Sequence, residues 1–105
     1  MWYRRPTSAS ATELVRARLS RPPHVQTATQ GGQTVLLDVN RGQYYTLNEV
    51  GGRIWSLVCE GTSFAEIVDR VCAEYDVSRE RGERDADTLL RELLGNSLLR
   101  AEGRD

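Results

Sequence analysis

Hydrophobic and polar positions along the chain follow two successive rhythms, a period of two up to Leu47 and a period near 3.6 after Asn48. His24–Gln30 (HVQTATQ) and Gln33–Val39 (QTVLLDV) flank Gly31-Gly32, a pair able to take the positive φ of a two-residue hairpin turn. Asn40-Arg41-Gly42 marks a second turn, and Gln43–Leu47 (QYYTL), rich in aromatic and β-branched residues, reads as a third strand. The expected product is an antiparallel meander whose third strand is an edge. Tyr44 and Tyr45 must point to opposite faces of it. Alternation with Leu47 puts Tyr45 toward the helices and Tyr44 and Thr46 away from them.

Asn48 can cap the first helix, in which Val50, Ile54, Trp55, Leu57 and Val58 share an apolar face. Gly51-Gly52 near its start costs roughly 1 kcal/mol per glycine relative to alanine, and lets the helix backbone approach the sheet. Gly61 ends this helix. Ser63 with Glu66 has the form of a capping box. The helix it opens carries Phe64, Ile67, Val68, Val71, Cys72 and Tyr75 at amphipathic spacing. Ser78–Arg84 is almost wholly polar and reads as an exposed loop. Asp85 then opens a third helix with Ala86, Leu89, Leu90, Leu93 and Leu94, stopped near Gly95-Asn96. Leu98-Leu99 would fold back onto the core as a short extended segment. The class expected is α+β, a three-stranded antiparallel sheet followed by three helices.

Composition narrows this. The 105 residues suffice for one domain. Residues 1–23 differ from the rest, being rich in Arg, Ser, Thr, Ala and Pro, and read as a flexible arm before a domain over 24–105. Glu13–Leu19 has weak helical character, too short to hold alone, since isolated helices below about 12–15 residues are marginal. An arm that docks through Trp2, Tyr3 and Leu14 is the other reading.

The net charge of -1, from 14 Arg, no Lys and 15 acidic residues, gives no attraction for nucleic acid or an acidic membrane. No stretch approaches the roughly 20 apolar residues of a membrane span. Polar Thr7, Ser8 and Ser10 occupy the place of a signal core. A cytoplasmic location is expected. Cys59 and Cys72 both fall in apolar helical patterns, as reduced core residues do.

Catalysis needs a convergent nucleophile, base or metal site. His24 is the only histidine, at a strand start beside Pro23, and the carboxylates are scattered over polar helix faces. There is no phosphate-cradling glycine loop and no metal-ligand spacing. The residues point to no enzyme, no cofactor and no metal. What stands out is an edge strand with unpaired backbone groups and a third helix whose doubled leucines span a wide arc. Those leucines could all be buried, or one side could line a groove that accepts an extended peptide by strand addition.

The run LLDVNRGQYYTLNEVGGRIWSLVCEGTSFAEIVDRVCAEYD, with Asp85 and LLRELLGNSLL after it, resembles the PqqD-like recognition element of ribosomally made, modified peptides. The resemblance covers about Thr34–Leu99. Tyr45-Thr46-Leu47-Asn48 leading to Ile54-Trp55, and the Thr62–Val68 segment, are its most specific parts. It implies a small winged-helix-like fold that binds the leader segment of a precursor peptide. The leader adds to the third strand, and its side chains enter a cleft against the third helix. Carried onto this chain, the peptide-binding residues are Val39, Gln43, Tyr44, Tyr45, Thr46, Leu47, Ala86, Leu90 and Leu94. The length is that of the stand-alone members of lasso peptide pathways. Those present the precursor to a separate leader peptidase, with a cyclase acting afterwards.

Two other readings stand beside it. A winged-helix DNA-binding regulator would want Arg or Asn on its reading helix, where this chain has Asp85, Asp87 and Glu92 with only Arg91 basic. A scaffold subunit of a peptide-maturation enzyme would bind that enzyme and no leader.

Overall fold

The alternating segment folds as a meander because each turn supplies the backbone its strands require. The computed structural model describes residues 18–102. β1 (Arg18–Ser20) precedes β2 (Val25–Gln30), β3 (Gln33–Asp38) and β4 (Gln43–Leu47). Then come α1 (Glu49–Cys59), α2 (Phe64–Tyr75), α3 (Arg79–Gly95) and β5 (Arg100–Glu102). Gly31 and Gly32 turn between β2 and β3 at φ of 59° and 83°, a region open to glycine at no steric cost. The sheet order is β2-β3-β4, antiparallel throughout, so β4 is an edge as expected.

The three helices pack behind the inner face of that sheet. Leu36 and Leu47 meet Ile54, Trp55, Leu57 and Val58 of α1, Ile67, Val68 and Val71 of α2, and Ala86, Leu90 and Leu93 of α3 in one core. Each valine, leucine or isoleucine among them contributes about 1.5–3 kcal/mol when fully buried. Asn48 Oδ1 caps α1 by accepting the Gly51 N–H at 2.8 Å, and Ser63 Oγ caps α2 through the Glu66 N–H at 3.2 Å. Trp55 is buried, and its indole N–H donates to Thr27 Oγ1 at 3.1 Å, tying α1 to β2. Gly52 lies against Thr34, as the glycine pair suggested.

Four expectations need correction. Ser78–Arg84 is not a loop: Ser78 Oγ accepts the Arg81 N–H at 3.1 Å, and α3 begins at Arg79, six residues before Asp85. Gly82 is buried in its second turn, where a Cβ would stand 2.8 Å from Cys72 Sγ, so the polar run is helical with its one small residue facing inward. The second strand ends at Asp38, which leaves Val39 exposed in the turn. Cys59 is a free thiol at the surface of the last turn of α1 rather than a core residue, while Cys72 is free and half-buried.

The fourth correction concerns the ends. β1 pairs antiparallel with β5, Leu19 opposite Ala101, and Leu19 packs against the core, so the weak helical pattern over Glu13–Leu19 ends in a strand. Leu98 and Leu99 are buried, as expected, in the bend that leads into β5. Residues 1–17, with Trp2, Tyr3 and Leu14, lie outside the described residues.

Candidate functional site

The open side of β4 is set by the turn before it. The Asp38 side chain is 1% exposed, and its Oδ1 accepts the N–H groups of Asn40 and Arg41 at 3.0 and 3.1 Å. Gly42 N–H adds a bond to the Asp38 carbonyl at 2.8 Å. One buried carboxylate therefore fixes the angle at which the chain re-enters the sheet as β4.

Register then decides which peptide groups of β4 are available. Val39 N–H donates to the His24 carbonyl, so the alternate pairs Gln26–Leu37, Ala28–Val35 and Gln30–Gln33 carry the bonds between β2 and β3. Thr34, Leu36 and Asp38 are left to bond with Leu47, Tyr45 and Gln43. The N–H and C=O groups of Tyr44 and Thr46 consequently point off the sheet, and among the described residues nothing pairs with them. Two residues thus present four backbone groups to an incoming strand. Their side chains lie on the outer face, Tyr44 with 72% of its surface exposed. Tyr45 and Leu47 lie on the inner face, packed against the core, and the Tyr45 hydroxyl donates to Gln43 Oε1 at 3.2 Å.

A cleft of ≈ 510 Å³ opens where β4 ends. Its floor is apolar, formed by Val50 and Ile54 of α1, Val71 and Tyr75 of α2, Val77, and Leu89 of α3. Gly51 marks the join: a Cβ there would stand 3.4 Å from Leu47 Cβ and 3.6 Å from Leu89 Cδ2. The rim is charged, with Arg81 paired to Asp85 at 3.6 Å, and with Arg84 and Glu92 nearby. Burial pushes the Tyr75 hydroxyl above its usual range, and Glu49 and Glu74 push the same way, so it remains a neutral donor. On the opposite flank of α3, Asp87 and Arg91 form a half-buried ion pair at 2.9 Å.

The structure brings only part of the expected set together. Gln43, Tyr44, Tyr45, Thr46 and Leu47 are β4 itself, and Val39 lies in the exposed turn before it. Ala86 and Leu90 are both 0% exposed, so they support the core behind the cleft and do not line it. Leu94 is half-buried at the core margin and is absent from the cleft lining. The cleft residue of α3 that the sequence reading missed is Leu89, with Thr88 and Glu92 beside it. The signal was the phase of the helix: once α3 starts at Arg79, Gly82, Ala86, Leu90 and Leu93 form the buried face, and Leu89 falls on its flank. Among the described residues no cluster of His, Cys, Asp and Glu could hold a metal ion, and no helix is long and apolar enough to cross a membrane.

Fold and site define a small domain organised around an unpaired strand edge and the cleft that adjoins it. The chain belongs to the PqqD family: the sequence profile described as coenzyme PQQ synthesis protein D (PqqD) matches residues 33–99. It is similar to the solved structure "TbiB1 in Complex with the TbiA(beta) Leader Peptide", with 41% identity over 81% of this chain and 99% of that one and a TM-score of 0.74. It is also similar to "Lasso peptide synthetase B1 complexed with the leader peptide", with 30% identity over 80% of this chain and 99% of that one and a TM-score of 0.75. Comparison with curated proteins finds no match.

Proposed function

We propose that this protein binds the leader segment of a ribosomally synthesised precursor peptide, of the lasso class, as a fourth strand on β4. It then presents that precursor to a separate leader peptidase. The reading is carried by the uncovered edge of β4 beside an apolar cleft, in a chain 41% identical to one solved with a leader peptide. Tyr44 and Thr46 supply the backbone bonds that fix register. Each bond nets only about 0.5–1.5 kcal/mol, so side chains decide which leader is held. Leader residues opposite Tyr45 and Leu47 point to the inner face, toward Leu89, and alternate residues point away. No bond is made or broken in this protein's role; holding the substrate near a partner enzyme raises its effective concentration there.

The test is a titration of the full chain with fluorescently labelled leader peptides of lasso-class precursors. Saturable binding is expected, with the amides of Tyr44 and Thr46 becoming protected from hydrogen exchange. No binding, or binding that leaves those amides exchanging freely, would refute strand addition at β4.

A further inference from the structure

β4 is not the only open edge. Among the described residues β2 is the second open edge of the three-stranded sheet, paired only with β3. The alternation set by the His24–Val39 bond leaves the peptide groups of Val25, Thr27 and Thr29 pointing off this edge. Val25 is already engaged: its N–H donates to the Pro22 carbonyl and its carbonyl accepts from the Arg21 guanidinium. Among the described residues Thr27 and Thr29 have no backbone partner on that side. Exposed edges are usually guarded by charge, proline or a bulge; Gln26–Gln30 has none of these.

The sequence of that segment reads the same in both directions, Gln26-Thr27-Ala28-Thr29-Gln30. From this symmetry we infer that the occupant of the β2 edge is a second copy of this chain, paired antiparallel about a two-fold axis through Ala28. In that register Thr27 faces Thr29 of the other copy and exchanges both backbone bonds with it, twice over. These are the groups the alternation leaves free. Gln26 faces Gln30, Thr faces Thr, and Ala28 faces itself, so no like charges meet and the threonine pairs are favourable. Shifting the register by one pair in one direction would require Val25, which Arg21 and Pro22 occupy; in the other it would oppose Thr27 to Gly31, in the turn. The outer face agrees with this choice. Gln26, Ala28, Gln30, Val35, Leu37 and Tyr44 line a shallow uncharged groove that reaches the β2 edge, and the two-fold would join two such grooves into one surface. The product is a six-stranded sheet with the two β4 edges outermost, both still open. This contact is independent of leader binding.

Sedimentation velocity on the full chain without peptide tests it. The wild type should shift from the mass of one chain toward two as concentration rises. Ala28 is exposed on the outer face, so Ala28→Arg and Ala28→Glu should each fold and each remain monomeric, and an equimolar mixture should recover the dimer. Thr29→Pro, which removes an outward N–H, should also be monomeric with an unchanged circular dichroism spectrum. A wild type that stays monomeric at millimolar concentration overturns the proposal, as does a dimer that survives Ala28→Arg. Loss of the dimer on Thr46→Pro but not Thr29→Pro would move the contact to β4 and equally overturn it. A monomer whose Thr27 and Thr29 amides are protected would overturn it in favour of residues 1–17 on that edge.

Discussion

Gly52 and Thr34 touch so closely that a Cβ on the glycine would stand 2.4 Å from Thr34 Oγ1 and 3.1 Å from Thr34 Cβ. This contact sets the distance between α1 and β3, and with it the seat of β4. Alanine at 52 would gain at most about 1 kcal/mol of helix propensity, whereas overpacking costs about 1–3 kcal/mol. Gly52→Ala should therefore lower the urea midpoint, and adding Thr34→Ala should recover part of the loss. Unchanged stability in the single variant would show that the interface yields freely.

The Asp38 carboxylate holds two backbone amides and lies 3.9 Å from Arg41 Nε. Hydrogen bonds to a charged group contribute about 1.5–3 kcal/mol. Asp38→Ala should lose stability on that order and weaken leader binding, because the turn no longer aims β4. Asp38→Asn keeps the Oδ1 acceptor and should lose less of both. Equal losses in the two variants, measured by denaturation and titration, would contradict this account of the turn.

Backbone and side chain separate cleanly at Thr46. Its side chain lies on the outer face, away from the cleft, and its N–H makes no bond among the described residues. Thr46→Val should bind leader nearly as the wild type does. Thr46→Pro should keep the fold but weaken binding by about tenfold, the equivalent of roughly 1.4 kcal/mol. Affinity that follows the side chain instead would place the contact on the outer face.

The neighbouring leucines of α3 offer a sharper division. Leu89 lines the cleft half-buried, whereas Leu90 is fully buried. Leu89→Asp should abolish leader binding while the helical spectrum persists. Leu90→Ala should cost about 2–5 kcal/mol of stability and affect binding only through unfolding. Full affinity in folded Leu89→Asp would remove the cleft from the recognition surface.

Arg53 donates to both carboxylate oxygens of Glu74, at 2.9 and 3.1 Å, and so clamps α1 to α2. That hydrogen bond holds the Glu74 carboxyl below the usual carboxylate range. A depressed folded-state value adds stability above the unfolded-state pKa, and the addition is lost as pH falls through the folded value. Both groups are solvent-exposed, so the effect is small. Arg53→Gln should unfold slightly earlier than the wild type in urea at neutral pH, and the two should converge on acidification. A constant gap at every pH would exclude this pair as the cause.

Much of this was legible in the chain, and the exceptions have physical causes. The meander followed from Gly31-Gly32 and strand alternation, and α1 and α2 from their apolar spacing and the caps Asn48 and Ser63. The first turns of α3 were hidden because Arg79–Arg84 has no apolar side chain to set a period. What holds them is the Ser78 cap, the Arg81–Asp85 pair, and close approach at Gly82. That missing start also shifted the helix's expected burden from Leu89 to Ala86 and Leu90. The β1–β5 pairing was invisible, because two three-residue strands at opposite ends of the chain leave no local signal.

The alternation along β4 limits how much of a bound sequence the protein can inspect. Peptide groups are identical in every chain, so bonds that a guest strand made at Tyr44 and Thr46 would carry no spelling. In a leader added as a strand there, only every second letter would face the cleft, and the letters between would meet the outer face instead. On the strand-addition reading, cleft and outer face would therefore each screen a different half of the bound positions.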